Sequence, residues 1–152
     1  MIYNLIPDFS KQLVSGKRLI GLDIGAARIG IAISDVNRII ATPHSVYEHR
    51  NMRQDLGHIN GLITAEDACG VVIGLPLTMA GKEEDNCLKI RSFAEKLHKK
   101  NGLPIFLQDE RMSTAAVTRA LQEYDMTRKK RQAVDDKLAA SYILQCCLDS
   151  IK

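Results

Sequence analysis

Three apolar, β-branched runs stand close together near the start of the chain: "RLIGLDI" (18–24), "IGIAISD" (29–35) and "RIIATPHSVYEH" (38–49). Only "GAAR" and "DVN" separate them, connections short enough for hairpins, so the pattern predicts an antiparallel meander. Pro43 in the third run cannot donate to a ladder and points to an edge strand or a bulge.

The period then changes. Met52, Leu56, Ile59, Leu62 and Ile63 recur at helical spacing within 51–67. "CGVVIGLPL" (69–77) is continuously apolar, as a strand covered on both faces should be. An amphipathic helix follows over 83–102, closing on Lys99, Lys100 and Gly102, where a helix C-terminus favours cations and glycine. "LPIFLQDE" (103–110) reads as a fifth strand, and Ser113 caps a predicted helix over 113–125. "MTRKKRQAV" (126–134) reads as a polar loop, and "DDKLAASYILQCCLDSI" (135–151) as a final apolar helix. Residues 1–17 form a short arm with a helix over 7–14, leaving one domain over 18–152. The alternation implies an α/β fold, a mixed sheet with helices on both faces.

Composition narrows the class. The chain has 152 residues, 45% hydrophobic and 26% charged, as in an ordinary globular protein. A net charge of +3 permits an anionic partner without demanding one. Cys69, Cys87, Cys146 and Cys147 show no metal-binding spacing and read as reduced, buried thiols. The first residues, with Asp8 and Lys11, lack the apolar core of a signal peptide, and no run reaches membrane-spanning length. A cytoplasmic protein without membrane contact is the expectation.

Against this background Asp23 stands out, a carboxylate between Leu22 and Ile24 in an apolar strand. Burying a charge there costs several kcal/mol unless it is paired or bound to a cation (about the effective penalty for a buried ion). Asp109 and Glu110 end the fifth strand, and Asp135 and Asp136 open the last helix. Sites in such sheets form beyond the carboxyl ends of parallel strands. If strands one and five are so oriented, Asp23 and Glu110 approach from neighbouring strands and the helix supplies a third acid. Three convergent carboxylates would call for a hard divalent cation, Mg²⁺ or Mn²⁺. Each acid also has an ordinary explanation: a turn or edge residue, a strand ending in solvent, or an N-cap. The glycines flanking Asp23, Gly21 and Gly25, let a backbone, a metal or a phosphate come close to the strand.

"GLDIGAARIGIAISD", "VVIGLPLTMAG", "DERMST" and "DKLAASYILQ" occur in the order and spacing of the YqgF family, which the chain resembles from residue 18 to about 149. These small bacterial proteins are described as Holliday junction resolvases and as nucleases processing the 5′ end of the 16S ribosomal RNA precursor. The resemblance implies an RNase H-like fold with a five-stranded mixed sheet, the first three strands antiparallel. It also implies a metal-dependent hydrolase site of three acids, Asp23, Glu110 and Asp136. Asp135 occupies a position that is apolar in the family, which leaves open which of the two faces the metal. Ala26, Ala27, Thr78 and Ala80 depart from the family's pattern, but none of the three acids is lost.

Two ions bridged by Asp23 would serve the attacking and the leaving oxygen of a phosphodiester. Arg28, Arg111 and the run Arg128, Lys129, Lys130 and Arg131 are the candidate phosphate contacts. With 5% aromatic residues and no tryptophan, backbone recognition is expected rather than base stacking. His44, His49, His58 and His98 are scattered and read as solvated or core residues. Precursor ribosomal RNA, cut by a monomer or weak homodimer, is the expected substrate. A four-way DNA junction would require a symmetric dimer, which the apolar arm (Ile2, Leu5, Ile6, Phe9, Leu13) could provide. Two other readings remain: a binding protein without activity, and an ATP-binding domain of the actin and sugar-kinase type, for which 152 residues hold only one of two domains.

Overall fold

The computed structural model describes the backbone over residues 2–75, 85–109 and 128–151, and side chains over 2–75, 87–109 and 137–151. The strands are β1 (Ile2–Tyr3), β2 (Arg18–Ile24), β3 (Arg28–Ser34), β4 (Ala41–Glu48), β5 (Ala68–Leu75) and β6 (Ile105–Asp109). The helices are α1 (Ile6–Ser10), α2 (Met52–Ala65), α3 (Asp85–Asn101) and α4 (Arg128–Ile151). Their sheet has the order β1-β6-β5-β2-β3-β4.

The mixed α/β architecture is as expected, with two corrections. There are six strands rather than five, because Ile2 and Tyr3 add a short edge strand parallel to β6. Hence the first three strands in chain order are not all antiparallel, although β2, β3 and β4 do pair that way. Two residues bounded by polar Asn4 give too short a pattern to read as a strand. β5 pairs in parallel with both β2 and β6. Pro43 lies on the edge strand β4, beside a register shift at Ile31/Ala32.

Strand alternation divides the core in two. Ile20, Leu22, Ile29, Ile31, Ile73 and Leu107 face α2 and α3, where Leu56, Ile59, Ile90 and Phe93 cover them. Leu19, Ala32, Val72 and Phe106 face the other way, against Phe9 of α1 and Ile143, Leu144 and Leu148 of α4. Most of the arm is spent within this second layer. Phe9 is fully buried, with its ring 5.4 Å from that of Phe106. Ile6 and Leu13 pack beside it, and Ile2 packs against the first cluster, leaving Leu5 exposed. The arm's helix is shorter than expected, ending at Ser10.

The last helix begins earlier than the sequence suggested. Arg128–Arg131 lie in its first turn, not in a loop, so neither Asp135 nor Asp136 caps it. Arg, Lys, Gln and Ala are all good helix formers and nothing in "RKKRQAV" stops a helix, so α4 propagates through it. β4 and β6 begin two to three residues later than expected, at Ala41 and Ile105, whereas α3 ends at Asn101 and Gly102 follows with φ +72°. The predicted helix 113–125 lies outside the described residues. Among the described residues no helix is long and apolar enough to cross a membrane.

What comes close to Gly21 is the backbone of α4, one of the three partners expected for the glycines beside Asp23. A Cβ at Gly21 would lie 2.7 Å from Leu144 Cβ and 3.0 Å from the Ala140 carbonyl oxygen. Gly21→Ala should therefore push α4 off the sheet and destabilise by about 1–3 kcal/mol, the cost of overpacking. Gly57 sits in α2 with nothing within 4 Å of its would-be Cβ. Gly57→Ala should stabilise by up to about 1 kcal/mol through helix propensity. Urea midpoints of the two variants should move in opposite directions from the parent; movement in one direction would contradict this packing.

Candidate active site

Asp23 is the penultimate residue of β2, half-buried at its carboxyl end, opposite Gly30 of β3. Leu19 and Gly21 face α4, and alternation puts Asp23 on that same face. Arg28 opens β3, two residues from Gly30, and alternation with Ala32 gives it the α4 face too. Both residues therefore stand at one end and one face of the sheet.

Helix α4 runs antiparallel to β2. Its Gln145 Oε1 accepts from the Ala41 amide at 2.9 Å, near the start of β4. Ala41 pairs with Ser34, and the Ser34 hydroxyl accepts from the Leu19 amide near the start of β2. Moving toward the N-terminus of α4 therefore advances toward the end of β2 that carries Asp23. One helical turn rises about 5.4 Å, and two strand residues advance about 6.6 Å. Backbone position 136, one turn before Ala140, thus lies over the end of β2, two residues on from Gly21. Buried Ala139, Ala140, Ile143, Leu144, Cys147 and Leu148 define the sheet-facing stripe. At about 100° per residue, position 136 falls about 30° from its centre and position 135 about 130° away. Positions 128–131 are helical backbone in the first turn of α4.

The fifth-strand acid needs a correction. β5 lies between β2 and β6, so the strands bearing Asp23 and Asp109 are not neighbours but two spacings apart, about 10 Å. Asp109 is opposite Leu75 at the carboxyl ends of these parallel strands. Glu110, Arg111, Thr78 and Ala80 lie outside the described residues.

A network invisible in the sequence supports the turn after Asp23. Gly25 closes the hairpin, its amide donating to the Arg28 carbonyl at 2.8 Å. His49 lies 2.8 Å through Nε2 from the Gly25 carbonyl and 2.9 Å through Nδ1 from Asp55 Oδ2. Both partners are acceptors, so a neutral ring donates to only one of them at a time, whereas imidazolium donates to both. Asp55 Oδ1 also accepts from the Arg50 amide at 3.0 Å. Asp55 is only 5% exposed, in the first turn of α2, which Asn51 caps by accepting from the Gln54 amide. Burial alone would push the Asp55 carboxyl up; hydrogen bonds from Arg50, His49 and Tyr47 more than offset that and hold it below its ordinary value. The sequence signal was Asn51 with Gln54 three residues on, which marks a helix start and puts Asp55 inside it.

Beside this network a cavity of about 890 Å³ opens at the same end of the sheet, between the hairpin and helices α2 and α3. Ile24, Gly25 and Ala26, directly after Asp23, form one wall. The cysteines are free thiols, as expected, and burial pushes Cys147 up to about 12, leaving it inert as a nucleophile at neutral pH.

Because the Asp55 carboxyl is depressed, its contribution to stability is present above the unfolded value of about 3.9 and is lost as pH falls through the lower folded value. Asp55→Asn should be less stable than the parent by about 1–3 kcal/mol at pH 7. The gap should hold down to about pH 5 and close below about pH 4. Urea titrations across pH 3–7 read it directly; a gap undiminished at pH 3 would contradict the network.

A family model described as "RuvX: Holliday junction resolvase" matches residues 17–150. An Anaplasma marginale protein named "Putative pre-16S rRNA nuclease" is 44% identical over 152 residues, covering 100% of this chain and 97% of that one. A Paramagnetospirillum magneticum protein of the same name is 46% identical over 139 residues, 91% and 90% of the two chains. Among solved structures, T. thermophilus RuvC in complex with a Holliday junction substrate superposes with TM-score 0.54 and 10% identity over 89% of this chain and 96% of that one. The fowlpox virus Holliday junction resolvase gives TM-score 0.53 and 14% identity, with 89% and 99% coverage. At such identities these structures speak for the fold alone. The sequence matches go further: the chain belongs to the RuvX family.

Proposed function

We propose that this chain is a divalent-metal-dependent nuclease that cuts one strand of precursor ribosomal RNA near the 5′ end of the small-subunit sequence, with Asp23, Glu110 and Asp136 as its acids. The observation that carries the reading is the shared placement of Asp23 and backbone position 136, on one face at one end of the sheet. Position 136, about 30° from the centre of the sheet-facing stripe, is the better third acid than 135. Glu110, rather than Asp109, is the acid that the resemblance of "DERMST" to the family's motif selects.

An all-carboxylate donor set at the end of an apolar strand fits a hard divalent cation. Held by these three side chains, Mg²⁺ or Mn²⁺ would supply charge neutralisation and an activated water. The chain's own residues bind and orient. Arg28, the first residue of β3, Arg111, next to Glu110 in the sequence, and the cations of 128–131 are the candidates to engage backbone phosphates.

The names of the relatives divide between RNA and four-way DNA. Cutting a junction symmetrically requires two sites related by a dyad. Here the apolar arm is consumed within the chain, Phe9 against Phe106, which favours a monomer acting on one strand.

At Mn²⁺ a hundredfold above its Kd, linkage adds about 2.7 kcal/mol, raising Tm by roughly 5–10 °C. Asp23→Asn should lose that shift, melt higher than the parent in chelator and leave precursor RNA uncut. A Tm indifferent to millimolar metal would remove the cation from the account. Replacing Arg128, Lys129, Lys130 and Arg131 by Gln should flatten the log–log salt dependence of RNA affinity by about 0.7–0.9 per lost contact. An unchanged slope would make these residues mere solvated charge. Paired nicking of junctions by a stable dimer, with RNA left intact, would transfer the same acids to the other substrate.

A further inference from the structure

The cavity beside the hairpin is not explained by the three acids. It lies on the α2/α3 side of the sheet, whereas Asp23 faces α4, yet both meet at the turn formed by Gly25 and Ala26. Its rim carries two of the exposed large apolar side chains of the molecule, Met52 at 38% and Leu88 at 64% exposure. Exposed Arg50 and Lys89 stand on the same walls, and buried Phe93 and Ile90 form part of the lining. The one described carboxylate there, Asp55, is already engaged by His49 and the Arg50 amide. Apolar surface thus combines with cationic charge in a concave space of about 890 Å³. That volume lies within the range of small-molecule sites, roughly 300–1,000 Å³.

We propose that this cavity holds one nucleotide of the substrate strand, adjacent to the phosphodiester at Asp23. Its base lies against Met52 and Leu88, and its flanking phosphates face Arg50 and Lys89. The strand crosses the carboxyl end of the sheet over the Gly25–Ala26 turn, from the α4 face to the α2/α3 face. Charge selects the occupant: an uncharged apolar ligand would leave both cations unused, and an inorganic anion would leave the apolar rim unused. Continuity with Asp23 selects the strand being cut. Aliphatic and sulfur-bearing side chains do here what the scarce aromatic residues do not. The inference rests on the nuclease reading and adds to it a base-contacting subsite.

The test uses full-length Asp23→Asn protein, which binds without cutting, and a fluorescein-labelled single-stranded RNA dodecamer spanning the precursor cleavage point. A series of these RNAs carries one abasic nucleotide at each position in turn, and anisotropy gives Kd. One abasic position near the cleavage point should weaken binding about fivefold to tenfold, the lower part of the range for a base held by a protein surface. In the same protein with Met52→Ser and Leu88→Ser that penalty should vanish, while binding to the intact RNA drops to the abasic level. Both positions are exposed, and circular dichroism of the variant verifies its fold. An abasic penalty that persists undiminished in the variant overturns the inference, as does binding indifferent to every abasic position. Absence of any salt-sensitive RNA binding by the Asp23→Asn protein would instead overturn the nuclease reading beneath it.

Discussion

Gly21 has no side chain, and for that reason helix α4 can lie directly on the strand that bears Asp23. With a would-be Cβ 2.7 Å from Leu144 and 3.0 Å from the Ala140 carbonyl, no other residue fits without moving the helix. The contact fixes the height and rotation of α4 over β2, and so where its N-terminal half meets the sheet's end. The proposed site depends on this. Its acids come from elements far apart in sequence, and a helix displaced by even a small amount would separate them. A small residue, Ala140, stands where the backbone of α4 comes nearest to Gly21.

On the opposite face, a different device holds the same end of the sheet. His49 and Asp55 link the Gly25 carbonyl to the capped start of α2. The turn after Asp23 is therefore anchored from below while α4 bears on the strand from above. Rigid support from both faces holds the end of β2, and with it Asp23, in one place. The cavity lies between this network and α3, so substrate contacts there would be transmitted to the Asp23 turn through a short, stiff connection.

Much of this was legible in the sequence. The hairpins of 18–48, the fully apolar β5 and the helical periods of α2 and α3 all depend on local patterns, and local patterns are what a single sequence displays. Asp23 was conspicuous because a charge interrupted such a pattern. Three features escaped for physical reasons. β1 is two residues long and exists only because β6 offers an edge. The start of α4 carries no apolar period, so "RKKRQAV" reads as loop although every residue in it tolerates a helix. The separation of β2 from β6 by β5 is a matter of topology, which spacing along the chain does not encode. The role of His49 was hidden for a related reason: its partners Gly25 and Asp55 are set by tertiary packing, with only Asn51 and Gln54 signalling the helix start nearby.

The claim at the centre is that the packing of α4 on Gly21 presents position 136, and not 135, to the cation shared with Asp23. Calorimetric titration of Mn²⁺ into Asp135→Asn and Asp136→Asn tests it most directly, since the two variants differ by one residue and carry the same charge. The account predicts that Asp135→Asn binds Mn²⁺ like the parent and that Asp136→Asn loses most of the affinity. Equal losses, or a loss confined to Asp135→Asn, would contradict it.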